Sequence, residues 1–350
     1  MPPASLVVVG ASAGGVEALS RLVAGLPADL PAAVVVVLHL AAHAPSVLPH
    51  ILGRAGALPV HLAHDGACLT AGHVYVAPPD RHLLVRDGHL AVVHGPRENG
   101  SRPAVDPLFR SAARAHGARV VGVVLSGMLG DGAHGLAYIK ARGGAALVQA
   151  PHDALHPGMP EAAIAQVAVD AVLPMDALGP AVVREARARA ALPPEAPMTD
   201  PTRDEVELDG VGTTDGGVSI NQALGGELAP FTCPECQGPL WEIRDGLPVR
   251  FRCRVGHSYD APTLVHDKDA ALEGALWTAI TALEENASLA RQMAERAESW
   301  GRPIVTERFL ARAEMLAARA RTVRAAVAAL ADAGVSLAAD GVPLAAVHEP

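Results

Sequence analysis

The sequence predicts an α/β fold: a doubly wound, mostly parallel sheet with helices on both faces, plus a small zinc-binding module and a C-terminal α-helical hairpin. Three observations carry this. Over residues 1–190, short runs of β-branched residues alternate with segments whose apolar positions recur at helical spacing. The strand-like runs are apolar throughout, as expected of strands covered on both faces. Beyond residue 230 the texture changes to a cysteine-containing stretch and then to two long amphipathic segments.

Leu6–Val9 reads as a buried strand and Val16–Gly25 as a helix with Val16, Leu19, Leu22 and Val23 on one face. Between them lies Gly10-Ala11-Ser12-Ala13-Gly14-Gly15, a tight glycine turn with a hydroxyl at its apex. Ala33–Leu38 is a strand running into His39, and Ala44–Gly53 a helix. His73–Ala77 and His89–His94 are expected as short strands joined by a turn near Asp87-Gly88, an antiparallel insertion or edge. Helix Asp106–His116, strand Val120–Leu125, helix Ala133–Arg142, strand Ala145–Gln149 and helix Pro160–Val167 continue the alternation. The expected domains are 1–190, a flexible acidic, proline- and glycine-rich linker over 191–229, the cysteine module over 230–260, a helical hairpin over 261–334 and a tail over 335–350. In the hairpin, Leu276, Ile280, Leu283, Ala287, Ala290 and Ala294 form one stripe. Phe309, Ala313, Leu316, Ala320, Val323, Val327 and Leu330 form the other, and Gly301-Arg302-Pro303 breaks the two apart. Such a pair either packs on itself or offers a surface for self-association or a partner.

The chain has 350 residues, half of them hydrophobic but only 3% aromatic, so the core is aliphatic and alanine-rich. A formal charge of −9 argues against nucleic-acid binding. MPPASLVVVG lacks a basic n-region, and the run Ala32–Leu38 is too short to span a bilayer. The expectation is a cytoplasmic protein without membrane insertion. Its four cysteines are taken as one local group of metal ligands rather than disulfide partners.

Gly10-x-Ser12-x-Gly14 has the form of a nucleophile elbow, but a glycine turn between strand and helix also cradles phosphate or carries no chemistry. The second strand supplies a test. A dinucleotide site expects an acidic residue at its end, and here it ends in His39; the Lys-Ser/Thr ending of a P-loop is missing too. Ligands of open parallel sheets sit at strand carboxyl ends. Three strands lead into Ser12, His39 and Asp131, the parts of a Ser-His-Asp triad. With 16 histidines in the chain, His43, His50, His134 and His152 compete with His39, and Asp131 between two glycines also suits a plain turn.

Six separated motifs over about residues 4–190 resemble the catalytic domain of the chemotaxis protein-glutamate methylesterases (CheB). They are GASAGGVEAL at 10–19, VVVVLHL at 34–40, YVAPPDRHLLV at 75–85, RPAVDPLFRSAA at 102–113, VVLSGMLGDGAHGL at 123–136 and GMPEAAI at 158–164. The resemblance implies Ser12 as nucleophile, His39 as base and Asp131 as acid, with the N–H groups of Ala13 and Met128 at the oxyanion site. It implies hydrolysis of glutamate γ-methyl esters on chemoreceptors or related methylated sensory proteins, releasing methanol, with glutamine deamidation as a related activity and no cofactor for catalysis. A non-catalytic signalling scaffold on the same fold is the competing expectation. Family members often carry an N-terminal receiver domain. Here the catalytic motifs begin at once, so control by a receiver in cis is not expected. Ala13 stands where the family commonly has threonine, and Leu38 where a polar residue is frequent.

Cys233-Pro-Glu-Cys236 is followed after sixteen residues by Cys253-Arg-Val-Gly-His257. Three thiolates and an imidazole at this spacing fill a tetrahedron, so a structural zinc is expected. About thirty residues build little core unaided, and a metal supplies the missing cross-link. Trp241 and Phe251 are expected to pack on it.

Overall fold

The computed structural model describes residues 3–43, 47–86, 88–193, 221, 224–244 and 246–332. The chain divides into two compact units, Met1–Leu264 and Val265–Pro350.

The first unit is built on a seven-stranded sheet in the order β3-β4-β2-β1-β7-β8-β9. Its strands are β1 (Ser5–Ala11), β2 (Ala32–Leu38), β3 (Val60–Leu62), β4 (Val74–Val76), β7 (Val120–Val124), β8 (Ala145–Gln149) and β9 (Ala171–Leu173). Every pairing in it is parallel. The period-2 alternation of side chains splits the apolar runs between two cores. Leu6 and Val8 of β1 join Leu108 and Phe109 of α3 (Val105–His116), Leu136 of α4 (Ala133–Ala141) and Met159 of α5 (Gly158–Gln166). Val7 and Val9 join Leu19 and Leu22 of α1 (Gly15–Ala24), Leu52 of α2 (Leu48–Ala55) and Leu178 and Val182 of α6 (Met175–Ala190) on the other face. The expected doubly wound architecture is therefore present.

Two expectations need correction. His73–Ala77 does not form a hairpin with His89–His94. Its core, β4, pairs in parallel with β2 and β3, and the antiparallel partner of β6 (His89–Val93) is β5 (His82–Arg86). The apolar run Val74–Val76 is buried on both sides, which suits an interior parallel strand better than a two-stranded ribbon. Second, the cysteines are not one group. Cys68 lies exposed in the first domain, bridging to His89, far in sequence from the other three. The helix expected at Ala44–Gly53 is seen as α2; residues 44–46, Asp87, most of the linker and the tail lie outside the described residues.

The cysteine module is a four-stranded antiparallel sheet, β10 (Glu227–Thr232), β11 (Pro239–Ile243), β12 (Arg250–Cys253) and β13 (Ser258–Asp260). A small core of Leu240, Phe251, Tyr259 and Leu264 with Cys233 and Cys253 holds it. Phe251 is in that core, with Phe231 edge-on at 6.0 Å, whereas Trp241 is only half-buried. Asp260 Oδ1 then accepts the Thr263 N–H at 2.7 Å and caps α7 (Ala261–Ser299).

In the second unit, α7 and α8 (Pro303–Asp332) form an antiparallel hairpin, with Arg324 on Glu284 at 2.6 Å. Gly301, at φ 65°, makes the turn. Ile280, Ala287, Ala290 and Ala294 face in from one helix, and Ala313, Leu316, Ala320 and Val327 from the other. All of these belong to the two stripes read from the sequence, whose Leu276, Leu283, Phe309 and Val323 are half-buried; the side chain of Leu330 lies outside the described residues.

Candidate active site and metal centre

β1 lies at the centre of the sheet. From it the chain passes to β2, out to β3 at the edge and back to β4 between them, then crosses to the other side of β1 as β7. This reversal opens a crevice at the carboxyl ends of the strands. Ser12 follows β1 there and His39 follows β2, with the His39 N–H donated to Ala11 O at 3.1 Å. Asp131 lies in the loop after β7.

The three side chains form one hydrogen-bonded line. Ser12 Oγ is 3.1 Å from His39 Nδ1, and His39 Nε2 is 2.7 Å from Asp131 Oδ2. An Nε2–H donated to Asp131 leaves Nδ1 as the acceptor facing Ser12. The other candidate histidines are elsewhere. His43 and His50 are exposed, and His134 Nδ1 is 3.1 Å from Pro248 O. Leu38 turns into the core, so Asp131 is the polar partner that orients the His39 ring.

Asp131 is 2% exposed and held at the start of α3. The Val105 N–H donates to Oδ2 at 2.6 Å and the Asp106 N–H to Oδ1 at 3.2 Å. Burial pushes this carboxyl up, but the hydrogen bond and charge of His39, then the Val105 N–H and Asn99, hold it below its ordinary range. Asp106 is the mirror image. Its Oδ1 accepts the N–H groups of Gly132 and Gly135 at the start of α4, at 3.0 and 2.7 Å. Burial, then the neighbouring Asp131 charge, pushes the Asp106 carboxyl well up. Asn99 Nδ2 donates to both carboxylates, each at 3.1 Å.

Gly14 sits at φ 71°, a conformation side chains rarely adopt, and lets the chain turn from Ser12 into α1. On the other side of the hydroxyl, a Cβ on Gly127 would strike Met159 Sδ and come within 2.9 Å of Ser12 Cβ. Ser126 clamps the two loops together: its carbonyl accepts the Ser12 N–H at 2.9 Å, and its hydroxyl donates to Ala13 O at 2.8 Å. Gln149 Oε1 in turn accepts the Ser126 N–H at 2.9 Å. Neither the Ala13 nor the Met128 N–H meets a backbone carbonyl among the described residues, and the Met128 side chain is exposed. Asn99, Asp106, Ser126 and Gln149 were missed by the sequence reading. The Asn99-Gly100 pair was a turn signal and Ser126 closes a buried strand, but neither reveals a partner far along the chain.

In the module, Cys233, Cys236, Cys253 and His257 bring their ligand atoms within 4.8 Å of one another. His257 Nδ1 is 3.6 Å from Cys233 Sγ and 3.5 Å from Cys253 Sγ, and Cys236 Sγ is 3.6 Å from Cys253 Sγ. A tetrahedron with metal–sulfur distances of about 2.3 Å and metal–nitrogen distances of about 2.0–2.1 Å has edges of about 3.5–3.8 Å. The residues therefore fit a four-coordinate metal ion. His257 Nε2 faces Glu235 Oε2 at 3.3 Å, and Tyr259 Oη joins Glu235 to Cys233. Such an outer carboxylate fixes the tautomer of a ligating imidazole.

Residues 7–182 match the family model described as CheB methylesterase. A protein-glutamate methylesterase/protein-glutamine glutaminase 3 of Anaeromyxobacter dehalogenans (strain 2CP-C) is 46% identical over 180 residues, 51% of this chain and 53% of that protein. A protein-glutamate methylesterase/protein-glutamine glutaminase 2 of Methanosarcina acetivorans is 38% identical over 192 residues, 52% and 53% of the two chains. The chain spans about half the length of the curated relatives it matches. The crystal structure of the Thermotoga maritima CheB methylesterase catalytic domain superposes with a TM-score of 0.50 at 31% identity, covering 51% of this chain and 97% of that one. Half of the chain, carrying the sheet, the glycine turn and the Ser12–His39–Asp131 line, belongs to one family, and the chain is a member of the CheB methylesterase family.

Proposed function

We propose that the chain is a serine esterase that hydrolyses glutamate γ-methyl esters on chemoreceptors. The hydrogen-bonded line of Ser12, His39 and Asp131 at three strand ends is the observation that carries this reading. The Ser12 hydroxyl proton passes to His39 Nδ1 as Oγ bonds to the ester carbon. Asp131 stabilises the imidazolium so formed. The N–H groups of Ala13 and Met128 receive the oxyanion. The bond to the methoxy oxygen then breaks, His39 returns the proton, and methanol leaves. Water repeats the sequence on the acyl-enzyme, giving the glutamate carboxylate and free Ser12. The same steps on a glutamine side chain release ammonia, in keeping with the names of the relatives. The intact line argues against a non-catalytic scaffold.

The protein works in the cytoplasm on this reading; no helix among the described residues is long and apolar enough to cross a membrane. The module holds a structural zinc through Cys233, Cys236, Cys253 and His257, a set that leaves no open position for catalysis. The C-terminal hairpin, with Trp277, Leu289 and Leu310 exposed, is the surface for self-association.

Methanol release from methylated receptor tests the reading. Ser12→Ala should lower the rate by about 10³-fold or more with the fold intact by circular dichroism. Normal turnover by that variant would refute it.

A further inference from the structure

The cysteine module reaches the acid of the relay through one side chain. Asn99 Oδ1 accepts the backbone N–H of Asp260 at 2.8 Å, while its Nδ2 hydrogens go to Asp131 Oδ1 and Asp106 Oδ2. The orientation of the amide follows from its partners. Reversed, it would set an oxygen against two carboxylates and a nitrogen against an N–H. Asn99 is buried, and its backbone is held from the same side. The Asn99 N–H donates to Ser258 O at 2.7 Å, and the Ser258 N–H to Arg97 O at 3.3 Å, so residues 97–99 line the edge of β13 in parallel.

The segment has little freedom elsewhere. Asn99 and Gly100, at φ 48° and 69°, form a two-residue turn closed by paired bonds between Glu98 and Ser101. The Glu98 carboxylate is anchored on Arg110 at 2.7 and 3.0 Å. Packing is close on the loop side as well, since a Cβ on Gly130 would land on the Asp260 carboxylate. β13 begins immediately after the candidate ligand His257, and Tyr259 within it lies 3.5 Å from Cys233 Sγ. The position of β13 is thus tied to the ligand cluster at one end and to Asn99 at the other.

We propose that Asn99 is a positioning residue for Asp131, and that the metal-loaded cysteine module holds Asn99 in place, so that emptying the module slackens the relay. This rests on the reading of Ser12, His39 and Asp131 as catalytic. It makes the module an internal control on the esterase: a chain that has lost its metal, through thiol oxidation or scarcity of zinc, is a slow enzyme.

The test uses the full chain loaded with zinc, and the same chain emptied with a high-affinity chelator, with emptying checked by metal analysis. His257→Ala provides a second emptied form. Three quantities are read: the rate at which a fluorophosphonate labels Ser12, kcat and KM for methanol release, and amide exchange over 97–101 and 258–260. Emptying should slow labelling and lower kcat by about tenfold or more, change KM less than about twofold, and speed exchange in both segments. Asn99→Ala should show the same loss when loaded and lose no more when emptied, because the connection is already cut. Unchanged labelling after emptying, or a further tenfold loss in Asn99→Ala, overturns the proposal. Should loaded wild type fail to label at Ser12, the catalytic reading has failed instead. Amide exchange then decides the coupling, and unchanged exchange over 97–101 refutes it.

Discussion

Asp131 and Asp106 each serve the other's helix. Asp131, on the loop that opens α4, accepts the first N–H groups of α3; Asp106, in α3, accepts those of α4. Each carboxyl group thus takes up unpaired N–H groups at the start of the other's helix, and the exchange fixes both helices against the Ser12–His39–Asp131 line. The two groups respond oppositely to acid. Asp131 is depressed, so its contribution to stability is present above the ordinary carboxylate range and is lost only as pH falls through its still lower folded value. Asp106 is raised, so its ionisation opposes folding, and protonating it as pH falls relieves that cost. An acid liability lies instead at His116, in the last turn of α3. Burial, then the charge of Arg119, drives its imidazole down to about 4, and neither ring nitrogen has a hydrogen-bond partner among the described residues. Between about pH 6.5 and 4 the unfolded chain takes up a proton there that the native chain refuses, so stability falls as pH falls. His116→Leu should therefore recover about 2 kcal/mol relative to wild type on going from pH 7 to pH 5 in urea unfolding. Equal acid losses in the two proteins would show that the ring is not the cause.

At the scale of elements, legibility followed length and locality. The two helices of the hairpin and the central strands were readable from periodicity, but α6 was not, because Pro180 and its arginines interrupt the apolar stripe. β3 and β9, with three residues each, were not, because a short parallel strand is defined by a neighbour far along the chain. The same limit explains the misplaced hairpin: the sequence reading found two strand-like runs, His73–Ala77 and His89–His94, and missed His82–Arg86, which takes the second as its antiparallel partner while β4 pairs with β2 and β3. In the candidate site, Ser12, His39 and Asp131, which lie on one hydrogen-bonded line, could be picked out because each stands just beyond a readable strand or glycine turn. Asn99 and Asp106 were invisible because their roles arise where α3, α4 and β13 meet. The module's knuckles were legible from cysteine spacing, but Glu235 was not. With its carboxylate 3.3 Å from His257 Nε2, Glu235→Gln should weaken zinc affinity by about 10–100-fold, measured by competition with a chelating dye. An unchanged affinity would mean that the carboxylate plays no part in orienting the ring.

At the scale of the whole molecule, the two units differ in what holds them. The first buries two aliphatic cores, chiefly of Leu and Val with alanine among them, against a central sheet. The helical hairpin closes mainly on alanine, which removes little apolar area per residue from water. Thermal unfolding followed at 222 nm should therefore show two transitions, the earlier one losing helical signal while Ser12 labelling persists. A single transition in which both signals vanish would show that the hairpin depends on the first unit. The connection between Asn99 and Asp260 has a consequence of a different kind. Its partners stand 161 residues apart, and at 5–20 residues per second a ribosome takes about 10–30 s to cover that distance. In the last part of that interval, once α6 is complete at Ala190, the sheet and Ser12, His39 and Asp131 are all made while Asn99 still lacks its last support. If the proposed esterase reading holds, the nascent domain is assembled before it is tightened, and it reaches full activity only after the cysteine module has emerged and closed.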